Sequence, residues 1–419
     1  RHEVDLAGDS ELSFTAAWLR DQNEFNSRSI INLATSAIRH DLVVRGDLKY
    51  VFSPANRFNA GVQYAWRSLQ QTGTVADTRS LAPWSREPIV DAHRPVLNIH
   101  PTLLRNLLSA YVEHTFRPVD AFAIEGGVRA QYDVTNLLFS GNARLAVAGT
   151  LPTHTVLKLS GGYVLQPIST ALALDPTYGN PGLQAERSGT LIAGIEQPLP
   201  FEALLRLEGW SKWLSNLVVN PDTQQAVAAR EAAGLPVYVN QGSGFAAGGD
   251  LMFVGRTRQF AYNLGVGLMT AQRTNPLASG AQTYSVQWEQ LFSAAAGLSW
   301  SPNKHWLAHA RANFRTGRPF TPVQGFTVDP SGQYWVPRFG ATDSGRYPFF
   351  FELNLRGEYR FEVGPVSCAV YLEVLNVTNT MNVYSWVYGA GDVTGGVPPT
   401  QGRFNHLPIR PFLGIRGEY

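Results

Sequence analysis

The stretch DLVVRGDLKYVFSPANRFNAGVQYAWR, from Asp41 to Arg67, decides the fold. Taking every second residue, Leu42, Val44, Gly46, Leu48, Tyr50 and Phe52 carry no charge, while Arg45, Asp47 and Lys49 lie between them. After Ser-Pro-Ala-Asn the alternation resumes, with Phe58, Ala60, Val62, Tyr64 and Trp66 set against Asn59, Gln63 and Arg67. A period of two marks a β-strand with one apolar and one polar face. The intervening Ser, Pro and Asn are turn formers. The stretch therefore reads as a long antiparallel hairpin with one face free of charge.

The same alternation predicts sixteen strands, near residues 10–19, 41–52, 57–67, 105–116, 121–132, 138–150, 155–166, 188–197, 202–214, 244–254, 259–271, 289–300, 305–316, 350–361, 366–378 and 408–419. Gln224 to Ala233 is the best helical stretch, and it lies inside a connection. Connections alternate in length. Short turns such as Ser53–Asn56, Arg117–Asp120 and Ser301–Lys304 contrast with long segments such as Ser68–Leu104, Ser215–Ser243, Gly317–Phe349 and Asn379–Leu407. Short turns at one end and long loops at the other are the layout of an up-and-down membrane barrel. An even strand count would set both termini at the short-turn end.

A soluble sandwich also alternates, so three further features decide. The predicted strands mostly exceed the roughly 5–6 residues of soluble strands and match the roughly 9–11 that cross a bilayer when tilted. Arg45, Asp47, Lys49, Arg67, Glu125, Arg129, Glu352, Arg356, Glu358 and Arg360 all fall on the same side of their strands. On the lipid side an Arg or Lys would cost roughly 2–4 kcal/mol at mid-bilayer. Finally, Phe52 and Phe58, Phe116 and Phe122, Phe253 and Phe260, and Trp300 and Trp306 flank short turns on the apolar face. They form the expected interfacial aromatic girdle. The fold class is thus all-β, a transmembrane antiparallel up-and-down barrel of about sixteen visible strands.

Composition agrees. Charged residues are 16%, below the roughly 25% of a typical soluble domain. The net charge of +2 implies no nucleic-acid partner. The one cysteine, Cys368, excludes an intrachain disulfide framework and a cysteine zinc site. Mean hydropathy is −0.12, and no apolar run approaches the roughly 18 residues of a membrane helix. The first residue is Arg1, as expected of a mature or trimmed chain.

From Gly161 onward a series of motifs appears: GGYVLQP (161–167), GNPGLQAERS (179–188), LEGWSKWLSNLVV (207–219), VNQGSGFAAGGDLMF (239–253), TGRPFTPV (316–323), LEVLNVTNTMNVYSW (372–386) and LPIRPFLGIRGEY (407–419). In this order the series resembles the barrel of TonB-dependent outer-membrane receptors, and the first 160 residues match in pattern only. The resemblance implies residence in the bacterial outer membrane, contact with its lipid, a plug domain or other lumen-filling chain, and a TonB-type energy-transducing protein. It also implies that the aromatic terminus, Tyr419 in place of the usual Phe, is the signal read by the barrel-assembly machinery. The family has 22 strands and an N-terminal plug. Against that pattern, residues 1–419 read as one barrel domain without a plug: the C-terminal part of a 22-strand barrel, with the N-terminal part truncated or separately encoded, or a sixteen-strand variant.

Catalytic, cofactor and metal sites are not expected. His305 and His309 would lie about 13 Å apart on a strand, too far to share an ion. Gly242 and Gly244 precede a strand rather than a helix, so no phosphate cradle forms. Asn376 is expected to turn a strand end, the charge pairs around Arg356 and Glu358 to form structural ladders, and Cys368 to pack inertly. The candidate ligand contacts are aromatic and histidine residues of long loops: Trp84 and His93, Tyr334 and Trp335, and Tyr384, Trp386 and Tyr388. Three functions follow: a receptor importing a ferric siderophore, cobalamin or oligosaccharide; a receptor-derived barrel anchoring a complex with periplasmic or surface proteins; or a plugless porin.

Overall fold

The computed structural model describes residues 2–6, 9–27, 33–80, 96–168, 171–279, 282–389 and 391–419. In chain order its strands are β1 (His2–Asp5), β2 (Glu11–Ser27), β3 (Leu33–Ser53), β4 (Asn56–Ala76), β5 (Val96–Ile99), β6 (Thr102–Val119), β7 (Phe122–Asp133), β8 (Leu138–Thr150), β9 (Val156–Gln166), β10 (Glu186–Leu199), β11 (Ala203–Val219), β12 (Val239–Arg256), β13 (Phe260–Thr274), β14 (Thr283–Ser285), β15 (Phe292–Trp300), β16 (Trp306–Arg315), β17 (Pro319–Phe320), β18 (Val323–Val328), β19 (Trp335–Phe339), β20 (Gly345–Arg346), β21 (Phe350–Val363), β22 (Val366–Leu375), β23 (Val383–Tyr388), β24 (Gln401–Asn405) and β25 (Arg410–Glu418). Two short helices interrupt loops, α1 (Ala171–Leu174) and α2 (Gln224–Ala232).

Sixteen of these strands form one wall, in the order β2, β3, β4, β6, β7, β8, β9, β10, β11, β12, β13, β15, β16, β21, β22, β25, each antiparallel to the next. They correspond one for one to the sixteen alternating segments of the sequence. Register keeps the faces separate. Ala16, Val44, Tyr64, Leu108, Tyr132 and Phe139 form one outward row, each paired with the next across its ladder. A slip of one residue would turn every one of them inward.

The outward face carries bands of rings. Near the short turns Phe58 stacks on His114 at 4.1 Å, Phe253 lies 5.4 Å from Tyr262, and Trp306 lies 4.9 Å from Tyr359. Toward the loop end Trp18 and Trp66 bracket His40, at 6.3 and 6.5 Å. Both tryptophans pair with Leu42, ten residues up the strand from Phe52. At ~3.3 Å per residue and a tilt of ~40°, that separation is about 25 Å along the membrane normal, the height of the apolar band in such barrels.

The inner face is a set of ion-pair ladders. Tyr111 donates to Asp47 at 2.6 Å and Arg45 donates to the same carboxylate at 2.7 Å. Arg144 bridges Glu113 and Glu125. Lys158 and Arg206 share Glu196. Arg356, Arg360 and Arg416 surround Glu358, which is almost fully buried. Many of the charges that the alternation turns away from lipid find an opposite neighbour two residues along the same strand or on a nearby strand.

Several boundaries differ from those read in sequence. β2, β3 and β4 continue well beyond the predicted ends because their ladders persist where both faces turn polar. Arg20 to Ser27 still pair with Leu33 to His40, although Arg20, Gln22 and Glu24 stand on the outward side. Backbone hydrogen bonding extends the sheet there without an apolar face to announce it. β22 stops at Leu375 rather than 378 because Asn376 takes a left-handed backbone, φ 50°. β1 adds a four-residue strand beside the foot of β2, too short for alternation to reveal.

Candidate functional site

The long loops fold over the end of the wall opposite the short turns. One group joins four connections. Asp77 and Arg79 follow β4; Asn220, Gln224 and Glu231 lie between β11 and β12. The Arg79 guanidinium, 5% exposed, pairs with Asp77 at 2.9 Å and with Glu231. Asn220 donates to the Arg79 carbonyl at 2.7 Å and Gln224 to that of Asp77 at 3.1 Å. Arg79 also lies over the ring of Tyr178, 5.4 Å away, in the connection between β9 and β10. Asn275, after β13, donates to the Asn220 carbonyl at 2.8 Å. Burial works against the Arg79 charge, but the bonds to Asp77 and Glu231 outweigh it and hold the group protonated more firmly than an ordinary arginine.

Beneath this polar lock sits a small apolar core of Ala173, Leu183, Val218, Val227, Val237 and Tyr238. Burial pushes the Tyr238 phenol well above its usual range. α2 supplies Val227 to this core, and Thr223 caps it by accepting from the Ala226 amide at 3.1 Å. β4 and β11 are six strands apart, about 29 Å along the wall at ~4.8 Å per strand. A contact between loops so separated must cross the mouth.

The motifs noted in the sequence sit where strands leave the wall. Asn180 donates to the Tyr238 carbonyl at 2.9 Å and accepts from the Gly182 amide at 2.9 Å. Glu186 accepts from the Val218 amide at 3.0 Å. Asn240 bonds both backbone groups of Gln184 and the carbonyl of Asn216. Asn382 does the same for Phe351, at 2.9 and 2.8 Å. Gly317 is required by space: a Cβ there would lie 1.5 Å from the Tyr347 carbonyl oxygen.

A second sector of the mouth is aromatic and cationic. It is built from β17, β20, the β18–β19 hairpin and the β23–β24 hairpin. Among the predicted ligand contacts, Tyr384, Trp386 and Tyr388 lie together on β23. Trp386 stacks on Tyr347 at 5.9 Å, Tyr384 meets Phe404 and His406 edge-on, and Tyr388 meets Phe326 edge-on. That last contact joins β23 to the hairpin carrying Tyr334 and Trp335. Tyr334 closes the hairpin turn through Asp329, whose carboxylate accepts three backbone amides. Burial opposes its ionisation, yet these bonds and the Ser331 hydroxyl hold it down to about 2. Trp84 and His93 lie outside the described residues.

Sequence reasoning missed the arginines of this sector: Arg315 over Phe350 at 4.2 Å, Arg318 over Tyr347 at 4.6 Å and Arg403 over Trp386 at 5.7 Å. No local pattern announces these contacts, because each arginine covers a ring that lies far from it in sequence. His406 is held below the usual imidazole range by burial and by the nearby Arg315 charge. His305 and His309 are engaged within the wall, to the Arg360 carbonyl and the Ser299 hydroxyl, both at 2.9 Å. Asn376 ties its strand end to the Thr380 and Leu407 carbonyls.

No protein-family model matches the chain, and no curated protein matches it in sequence. Solved structures do match over its whole length. The ferric citrate transporter FecA in its unliganded form superposes with a TM-score of 0.67 at 12% identity, covering 99% of this chain and 60% of that one. The ferric-catecholate import receptor Fiu from E. coli K12 gives 0.64 at 12%, over 99% and 62%. The FrpB iron transporter from Neisseria meningitidis gives 0.62 at 14%, over 97% and 60%. The chain thus spans about three-fifths of the structures it matches. By its wall, its register and these likenesses, the chain has the barrel fold of TonB-dependent outer-membrane receptors.

Proposed function

We propose that the chain forms the wall and loop layer of a bacterial outer-membrane receptor that imports a scarce nutrient, a ferric siderophore, cobalamin or oligosaccharide. The observation that carries this reading is the loop layer: connections six strands apart lock to one another across the outer end of a polar-lined wall. Loops so arranged hold a ligand at the mouth, whereas free diffusion through a porin gains nothing from them. Similarity to transporters of ferric citrate and ferric catecholates supports the same reading.

In this reading a plug or other lumen-filling chain meets the inner ladders, and a TonB-type protein supplies energy through it. Tyr384, Trp386, Tyr388, Tyr334 and Trp335 contribute rings to ligand capture, as do Trp84 and His93, which follow β4 in sequence. Phe52, Phe58, Phe116, Phe122, Phe253, Phe260, Trp300 and Trp306 seat the wall at the inner interface of the membrane. Tyr419 acts in barrel assembly. The test is nutrient uptake by cells with and without the gene, before and after the proton-motive force is dissipated. Uptake that needs both the gene and the force is expected. Uptake that needs the gene but persists without the force would make the chain a passive pore.

A further inference from the structure

The outward face of the wall holds a depression of about 940 Å³ that crosses from β2 to β8. Its lower row includes Gly46, Val62 and Ala110, paired in turn across their ladders. Tyr64, Tyr132 and Phe139, one row nearer the loops, stand along its upper lip. Gly46 lies four residues below Leu42, about 10 Å beneath the loop-side ring band at ~3.3 Å per residue and a tilt of ~40°. The hollow is therefore at hydrocarbon depth. Water finds no polar partners there, and an empty hollow forfeits the contacts of its lining, so acyl chains fill it. It spans five strand spacings, about 24 Å. An extended acyl chain is about as broad as one spacing, so several lie side by side as they descend.

The head-group level above the hollow is cationic. Trp18 and Trp66 bracket His40 at 6.3 and 6.5 Å, and Arg20 pairs with His40 across the β2–β3 ladder. Arg20 stands two residues above Trp18, about 5 Å higher. Tryptophans mark the interface, so this is the level of lipid phosphates. Among the described residues the Arg20 guanidinium has no ion-pair partner; it donates to the Gln22 amide oxygen at 3.4 Å. The nearby carboxylates are engaged by other groups. Glu24 accepts from Gln22 at 3.0 Å and Asp21 from Asn23 at 2.8 Å, while Arg39 holds Asp41. Beside the rings runs a short polar chain: Tyr64 donates to Asn106 at 2.8 Å and Asn106 to Thr135 at 2.8 Å. Asn106 pairs with Trp66, which sets these groups at the height of a lipid's ester and hydroxyl oxygens.

We propose that this face binds a phosphorylated lipid with several acyl chains, drawn from the leaflet on the loop side of the membrane. Its chains fill the hollow between β2 and β8, and its phosphate rests on Arg20 beside the bracketed His40. The guanidinium fork matches phosphate oxygens, and basic groups at head-group height favour anionic lipid. A neutral lipid leaves Arg20 without a counter-charge. A lipid with two chains leaves part of the hollow to its neighbours. The inference rests on the proposed outer-membrane reading and gives the wall a lipid partner distinct from any cargo.

The experiment uses the whole chain folded in detergent and stripped of co-purifying lipid. Native mass spectrometry follows its titration with hexa-acylated, bisphosphorylated lipid A, with the same lipid dephosphorylated, and with phosphatidylglycerol. Expected is a preference of roughly tenfold or more for the phosphorylated lipid A over both. Arg20→Gln should remove most of the advantage over the dephosphorylated form. Gly46→Leu combined with Ala110→Leu, which fills the hollow, should remove the advantage over phosphatidylglycerol. The wall accommodates a side chain at Gly46, whose Cβ would meet the Phe14 ring at 3.5 Å, an ordinary contact. Heat-modifiable mobility on gels confirms that each variant is folded. Leu191→Ala, on β10 and beyond the hollow, should change neither preference. The inference is overturned if the three lipids bind equally, or if the preference survives both Arg20→Gln and the filled hollow. Equal lipid binding by a chain that still supports force-dependent uptake would sink the lipid site alone. A lipid preference in a chain without such uptake would sink the receptor reading and leave the site.

Discussion

Arg79→Ala is the most informative single perturbation of the loop layer, because the two halves of its ion pair differ in burial. The guanidinium is 5% exposed, the Asp77 carboxylate 3% and the Glu231 carboxylate 44%. Removing the arginine leaves Asp77 buried beside carbonyl groups, and breaking a buried pair in this way costs about 3–5 kcal/mol. The Glu231 limb, open to water, contributes at most about 1 kcal/mol. Glu231→Gln should therefore be mild and Arg79→Ala severe, although both break a bond to the same guanidinium. The wall does not depend on either, so the loss appears as local opening of the loops. Hydrogen exchange followed by mass spectrometry reads this directly. Peptides covering 171–185 and 220–238 should exchange about 150-fold faster in Arg79→Ala for a cost of about 3 kcal/mol, while peptides of β11 and β12 stay protected. In Glu231→Gln the acceleration should stay within about fivefold. Equal exchange in the two variants, or Arg79→Ala indistinguishable from the parent, would refute the view that this arginine locks the loops across the mouth.

Other substitutions test the wall and the loop roots. Val62 points outward midway between Phe58 and Trp66, so Val62→Arg should cost roughly 2–4 kcal/mol in unfolding from lipid vesicles. Asn59→Arg, inward and beside Glu113, should change stability by less than about 0.5 kcal/mol. Gly317→Ala drives a methyl group into the Tyr347 carbonyl; Trp386 fluorescence should shift and proteases should cut within 316–349, whereas Gly357→Ala, with open space around it, should do neither. Burial opposes ionisation of Glu289, but its bonds to the Ala271 amide and Arg346 prevail and depress its pKa. A depressed carboxylate stabilises fully above its unfolded value, about 4.3, and loses that contribution as pH falls through the folded value. Exchange in residues 282–291 should accordingly rise as pH drops below about 4, after correction for intrinsic rates, and Glu289→Gln should abolish that dependence.

The wall was legible in sequence because lipid imposes a rule on every second residue. Leu42 through Phe52 must be apolar for the same physical reason as Phe351 through Phe361, so the pattern repeats wherever a strand crosses. The rule lapses at the membrane surface. Arg20, Gln22 and Glu24 continue β2 outward as strand, yet nothing in their polarity distinguishes strand from loop. The lock at Arg79 was equally hidden: Glu231 meets Arg79 and its neighbour Asp77 through folding alone, the glutamate lying 152 positions along the chain from the arginine. Tyr384, Trp386 and Tyr388 could be singled out by type and position, but the arginines beside them could not. An arginine at a strand end or in a loop signals nothing until the ring beneath it is in view.

Why, then, do motifs resemble a family when whole-chain identity to its members is only 12–14%? The placement of the side chains answers this. Asn180, Asn240, Asn376 and Asn382 use short amides to replace ladder bonds where a strand departs from its neighbour. Gly317 lets the chain pass a carbonyl. Departing from a cylinder poses the same geometric problem whatever the loop beyond is meant to hold, so few residue types solve it. Lipid-facing positions accept any apolar side chain, and loops answer to the ligand. Resemblance therefore concentrates at the strand exits. It reports the architecture and is silent on cargo.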